Sequence, residues 1–140
     1  MEWDTRQKNV VLILARDMAE KLATPMFVVD AEGTLVFYNE AAETLLGKTF
    51  ADAGEMKAEE WMAEWAPIGE NGQPMKLRDL ALGRALFEGH PDHHDLAIRA
   101  SDGVKRTIAA TAIPLQTHPD EIVGAVALFW VPSQREEDRP

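Results

Sequence analysis

The densest group of chemically capable side chains is the segment at residues 90–95, which reads His-Pro-Asp-His-His-Asp. Its imidazoles and carboxylates could bind a divalent metal ion, and a histidine could serve as the axial ligand of a haem iron. The segment's proline and the preceding Gly89 predict a loop, where solvated histidines are common. We therefore predict no metal site. The residues that remain as candidates for one are His90, His93 and His94.

Other constellations that carry chemistry are absent from the sequence. None of the motifs G-x-S-x-G, H-E-x-x-H, G-x-x-x-x-G-K-[ST] and G-x-G-x-x-G occurs. The chain has no cysteine, which excludes disulfides, thiolate metal sites and cysteine nucleophiles. We therefore expect no enzymatic activity.

Length and charge limit the classes of partner. The chain has 140 residues, which suits one domain, and its formal net charge is -10. This charge repels nucleic acid phosphates and anionic membranes. No apolar stretch approaches the roughly 20 residues of a membrane span, and the start of the chain lacks the basic region of a signal peptide. We expect a cytoplasmic protein with neither a nucleic acid nor a membrane as partner.

The clearest local structure is a strand, turn, strand and helix unit in the first third of the chain. Met26–Val29 and Thr34–Tyr38 are rich in strand-forming residues and flank a turn that contains Gly33. Asn39 follows at the position of a helix N-cap, and Gly47 supplies the end of that helix.

The middle of the chain has helical patterns. Residues 51–70 are strongly acidic, and Trp61 and Trp65 lie four positions apart, on one face of a short helix. They fit a lid on the core, with the alternative that they border a pocket or a partner site. Asp79 is predicted to cap a further helix that ends before Gly89.

Strand periodicity dominates the end of the chain. Leu96–Arg99, Val104–Leu115 and Ile122–Val131 are separated by turn residues and predict three antiparallel strands. Together with the two opening strands they make a five-stranded sheet. Residues 132–140 are predicted to be a charged tail.

The start of the chain predicts an amphipathic helix. Residues 3–23 contain no Gly or Pro and carry apolar residues at helical spacing. This stripe could pack on its own domain or leave area for a second chain, and the helical pattern favours neither. We expect a homodimer held by this helix. The interface residues would be Val10, Val11, Leu14, Met18 and Leu22.

The stretch F-V-V-D-A-E-G-T-L-V-F-Y-N-E-A-A-E-T-L-L-G, at residues 27–47, resembles the opening of the PAS domain family of sensor and interaction modules. Asp102-Gly103 and the segments 113–115 and 122–126 resemble its closing strands. The resemblance implies an α+β fold, in which a five-stranded antiparallel sheet of order 2-1-5-4-3 carries helices on one face, besides the N-terminal helix. It divides the chain into an N-terminal helix (1–23), a PAS-like domain (24–131) and the charged tail (132–140).

The resemblance also implies where a ligand would bind. In the PAS family the space between sheet and helices is the sensing pocket, and small side chains in the last two strands leave either such a void or close packing. The candidate lining residues are Phe27, Val29, Leu46, Trp61, Trp65, Leu82, Leu86, Leu96, Ile98 and Ile108. The family further implies His90 as the axial ligand if a haem is bound, and a dimer contact through the N-terminal helix. The lack of cysteine excludes the cysteinyl-flavin chemistry of its LOV branch.

Two functions stay open at this point. The first is a PAS-like sensory domain that binds a small molecule in its core and signals by association with itself or with a signalling protein. The second is a dimerisation module with a filled core and no ligand. We take the first as our expectation, with the cofactor unknown, haem disfavoured and the protein colourless. The family's Asp-x-Thr ending is replaced by Val131-Pro132-Ser133, so we expect the signal to leave through a partner or a change of oligomer.

Overall fold

The computed structural model describes residues 2–132, with side chains described from residue 10 onward. The predicted tail lies outside the described residues beyond Pro132. The helices are α1 (Glu2–Glu20), α2 (Glu40–Leu46), α3 (Phe50–Ala53), α4 (Ala58–Trp65) and α5 (Ala81–Glu88), with a 3-10 helix at Leu77–Asp79. The strands are β1 (Met26–Asp30), β2 (Leu35–Tyr38), β3 (Asp92–Arg99), β4 (Lys105–His118) and β5 (Glu121–Trp130). Within residues 2–132, no helix is long and apolar enough to cross a membrane.

The five strands form one antiparallel sheet in the order β2-β1-β5-β4-β3. This confirms the α+β fold and the strand order that the resemblance implied. The first and last strands pair at its centre, where Phe27 lies opposite Ala127 and Val28 opposite Val126. Because side chains alternate along a strand, these two pairs point to opposite faces of the sheet.

Each face of the sheet carries its own apolar core. The larger core lies on the face of Phe27, where α2, α4 and α5 contribute buried side chains. The smaller one lies on the face of Val28, where Ala15 and Ala19 of α1 pack against the sheet. The short helices therefore share one face, and the N-terminal helix covers part of the other.

The side of α1 that packs on the sheet combines two buried alanines with a leucine and an arginine. Ala15 and Ala19 are buried, and Leu12 lies over Gly124, where an added Cβ would come within 3.2 Å of the Leu12 Cδ2 atom. The guanidinium of Arg16 lies 4.7 Å from the centre of the Phe37 ring. The small side chains of Ala15 and Ala19 let the helix approach the sheet closely, and Leu14 and Met18 lie exposed on other sides.

Asn39 joins the N-terminal helix to the core. Its Oδ1 atom accepts hydrogen bonds from the N–H groups of Met26 and Ala42, both at 3.0 Å. Its Nδ2 group donates to the carbonyl oxygens of Ala19 at 3.0 Å and Thr24 at 2.9 Å. The predicted N-cap role is confirmed, and the same side chain also holds the end of α1 and the start of β1.

Two predicted features of the second half of the chain are wrong. Asp79 does not cap α5, because its carboxylate accepts a hydrogen bond from the N–H of Lys76 across the 3-10 helix. Leu80 takes the N-cap position without a side-chain hydrogen bond. Strand β3 begins at Asp92 rather than Leu96, because the long strand β4 pairs with all of residues 92–99. Most of the histidine segment is therefore strand and not loop.

Asn39→Asp should lower the free energy of unfolding by roughly 3 kcal/mol, because a carboxylate cannot donate to the carbonyl oxygens of Ala19 and Thr24 and would face them unpaired. Urea denaturation measures this change. Glu40→Gln, at the exposed neighbouring position, is the matched control and should cost less than about 1 kcal/mol. Equal effects of the two changes would show that Asn39 does not hold these elements together.

Candidate functional site

A cavity of about 80 Å³ lies between the sheet and helices α4 and α5. Every predicted lining residue borders it except Val29 and Leu86, which are buried elsewhere in the same core. Trp61 and Trp65 are buried in that core and also form part of the cavity wall. The wall residues that the sequence interpretation missed are Pro67, Leu80, Ala81, Ala110, Ala127 and Phe129.

Small residues in β4 and β5 leave the space that the cavity occupies. Ala127 lies opposite Phe27, and Ala110 lies opposite Phe129, on the face that carries the helices. Alanine side chains are too short to reach the helices across this gap, whereas Ala112 and Ala125 on the same face are fully buried without bordering the cavity. Strand alternation together with the small-residue pattern could have identified Ala110 and Ala127.

Aromatic rings hold one side of the cavity in a defined shape. The Phe27 ring meets Trp61 edge to face at 5.2 Å between centroids and Trp65 at 6.0 Å. Tyr38 stacks behind Phe27 at 6.1 Å. Such pairs favour particular angles and separations, so the rings support one another and form a stiff wall.

The two indole N–H groups are already used within the protein. Trp61 Nε1 donates to the carbonyl oxygen of Gly33 at 2.9 Å. Trp65 Nε1 donates to the carbonyl oxygen of Leu46 at 3.1 Å and to the Ser101 hydroxyl at 3.0 Å. Neither indole has an N–H group left for a ligand, so the wall binds by shape and apolar contact.

Two further polar side chains near this core are also committed to the protein. Burial, with a smaller contribution from Glu43, raises the pKa of Tyr38, and its protonated hydroxyl donates to the carbonyl oxygen of Lys48 at 2.8 Å. Arg106 donates to the carbonyl oxygen of Leu45 at 3.2 Å. Neither Tyr38 nor Arg106 borders the cavity.

The histidines of residues 90–95 do not converge on one site. Because β3 alternates, His93 points to the face of α1, 5.9 Å from the Trp130 ring, and His94 points to the opposite face. His90 precedes the strand, and its Nε2 atom lies 3.2 Å from a Glu88 carboxylate oxygen. Among the side chains of residues 10–132, no three His, Cys, Asp or Glu residues are grouped to hold a metal.

A haem does not fit the residues of this cavity. Its wall contains no histidine, and His90 is 59% exposed at the end of α5. The cavity volume of about 80 Å³ is far below the roughly 300 Å³ at which pockets for drug-sized ligands begin. A haem or a flavin would therefore have to displace much of the wall.

His94 belongs to a polar cluster that links α5 to β3. The Oδ2 atom of Asp92 lies 3.3 Å from His94 Nε2 and 3.5 Å from Arg84 Nε. These three atoms are buried, and none of them has a partner in hydrogen-bonding geometry. The cluster adds an electrostatic contact between helix and strand but does not border the cavity.

A second candidate surface lies on α1 and on Leu22, two residues beyond its end. We define the α1 surface as the exposed apolar residues Val10, Ile13, Leu14, Met18 and Leu22. Leu14 is 60% and Met18 57% exposed, whereas Val11 is half-buried. The alternative in which the apolar stripe packs on its own domain holds for Ala15, which is buried against the sheet, but not for Leu14, Met18 and Leu22, which are exposed.

Ala127→Val should leave the free energy of unfolding within about 1 kcal/mol of the wild type, because the added methyl groups project into open space. Ala125→Val is the matched control on the same strand and face, and it should cost about 1 to 3 kcal/mol by overpacking. Urea denaturation of both variants measures the difference. A similar large cost for Ala127→Val would mean that the space beside it is filled.

This fold is similar to that of known proteins. A family model described as the PAS fold matches residues 19–137. Among solved structures, the PAS domain of Bordetella pertussis BvgS is 23% identical, with 90% of this chain and 89% of that chain covered and a TM-score of 0.60. A Rhodobacter sphaeroides LOV protein is 14% identical, with 92% and 69% covered and a TM-score of 0.67.

The PAS domain of the fruit-fly ELK potassium channel is also similar, at 10% identity, with 87% of this chain and 97% of that chain covered and a TM-score of 0.66. At these identities the solved structures share the fold and nothing finer. A comparison with curated proteins gave no match. Because the family model spans most of the sequence and the sheet has the order expected of that fold, the chain belongs to the PAS fold family of sensory and signalling domains, which are typically non-catalytic.

Proposed function

We propose that this PAS domain binds a small molecule in the cavity beside Trp61 and Trp65 and signals through self-association along the α1 surface. The observation that carries the sensory part is the cavity itself. Protein interiors are normally filled to crystal-like density. A partly open apolar space of about 80 Å³ leaves its wall without packing partners and costs at most about 2 kcal/mol of stability at the sensitivity known for core cavities. A ligand that fills this space would recover much of that loss.

The α1 surface supports the association part of the proposal. Val10, Leu14 and Met18 recur at every fourth position and are each more than half exposed. Covering a few hundred Å² of such surface contributes several kcal/mol at about 25 cal/mol per Å². This gain must exceed the entropy lost on association, so the surface suits a partner that presents a matching apolar helix. A second copy of the chain presents one.

Strand β1 offers a physical route between the cavity and α1. Phe27 forms part of the cavity wall, while its neighbours Met26 and Val28 pack under α1. The Met26 N–H group is also bonded to Asn39, which in turn holds the end of α1. A ligand packed against the Phe27 ring would therefore restrain the strand on which α1 rests.

The second candidate is a dimerisation module that uses the α1 surface without any ligand. The same exposed residues favour it, so the two functions share the association step and differ in the cavity.

Net charge affects the association step of both candidate functions in the same way. Each copy carries a formal charge of -10, so repulsion opposes association and added salt should strengthen it by screening.

Leu14→Asp should convert the dimer to a monomer, because it places an unpaired carboxylate in the apolar contact. Multi-angle light scattering gives the mass, and circular dichroism should show an unchanged fold because Leu14 is 60% exposed. Lys21→Ala changes the net charge by the same amount at an exposed position just after α1 and should stay dimeric. A wild-type protein that is monomeric at high micromolar concentration would refute the association step.

A further inference from the structure

The cavity wall limits the chemical class of its ligand more sharply than the fold does. We infer that the site takes a neutral, hydrocarbon-like molecule of about four non-hydrogen atoms or fewer, and that it rejects ligands with a carbonyl, hydroxyl or charged group. This inference rests on the proposed sensory function, since it names the class of molecule that would be sensed.

The first argument is the absence of a polar partner for the ligand. The wall surface is almost entirely carbon, and the indole N–H groups of Trp61 and Trp65 are bonded to protein oxygens. A polar atom of a ligand would lose its hydrogen bonds to water and gain none in return. A charged group would lose still more, because none of the described residues that line the site carries a charge.

The second argument is size. An engineered core cavity of about 150 Å³ lined by aliphatic and aromatic side chains binds benzene. The cavity beside Trp61 and Trp65 has about 80 Å³, slightly more than half that volume. Scaling the ring of benzene by this ratio leaves room for about three or four carbon atoms. Short alkenes and apolar gases belong to this class, whereas a second ring does not fit.

Because the wall is stiff, the cavity cannot widen easily to admit a larger ligand. Phe27 is held edge to face by Trp61 and Trp65 and is backed by Tyr38. Moving one ring to admit a larger ligand would disturb the others and the two indole hydrogen bonds. The wall therefore selects small ligands more strongly than a wall of flexible side chains would.

Isobutene, acetone and acetate test the inference, because they share one branched skeleton and differ in polarity and charge. We expect isobutene to shift the indole N–H resonances of Trp61 and Trp65 in nitrogen-15 NMR spectra. Trp130 lies on the opposite face of the sheet, beside His93, and serves as the internal reference. Acetone should bind at least about tenfold more weakly than isobutene, and acetate should not bind.

Ala127→Val should abolish the isobutene shifts, because its methyl groups occupy the cavity. Isobutene shifts that persist in this variant would place the binding elsewhere and overturn the inference. Binding of acetone or acetate in preference to isobutene would overturn the ligand class while leaving the sensory function in place. If no probe moves either indole and Ala127→Val is as destabilising as Ala125→Val, the cavity is filled and both the inference and the sensory function fail.

Discussion

The hydrogen bonds of Asn39 are the contact on which the rest of the structure depends. One side-chain amide accepts from Met26 and Ala42 and donates to Ala19 and Thr24, so the end of α1, the start of β1 and the start of α2 meet at one buried point. An asparagine suits this position because its short side chain offers both two acceptor sites and two donors. A side chain without both kinds of group would leave buried backbone atoms unpaired, which is costly inside a protein. This junction fixes the end of α1 next to the start of β1 and so helps to place α1 on its face of the sheet.

Strand β1 separates the two surfaces to which we assign function. Phe27 belongs to the cavity wall, and Val28, one residue later, lies under α1. The strand is only five residues long, but its central pairing with β5 ties it to the rest of the sheet. The two faces of strand β1 have opposite packing requirements, because the cavity needs open space whereas the contact with α1 needs close packing. The chain meets both with alanines: Ala127 leaves space on one face, and Ala15 and Ala19 allow close approach on the other.

Local chemistry explains which features the sequence predicted well. The turn before β2, the Asn39 cap and the helix end at Gly47, with its φ of 76°, depend on residues close together in the chain. The strand order followed from the family resemblance. The misplaced start of β3 depends on a partner far away in sequence. Strand β4 extends β3 across its polar residues, and the packing of α1 likewise depends on strands far away in sequence. Local patterns carry no information about such partners.

The volume of the cavity could not be predicted from local patterns either, because it depends on how Ala110 and Ala127 meet helices that lie elsewhere in the sequence.

The central claim is that this PAS domain keeps an open apolar cavity as a binding site. A crystal structure determined under xenon pressure tests it most directly, because xenon is apolar, binds dry core cavities and scatters strongly. The account predicts one well-occupied xenon atom enclosed by Phe27, Trp61, Trp65 and Ile98, with those side chains unmoved. Electron density that shows these side chains packed against one another, with no xenon between sheet and helices, would contradict it.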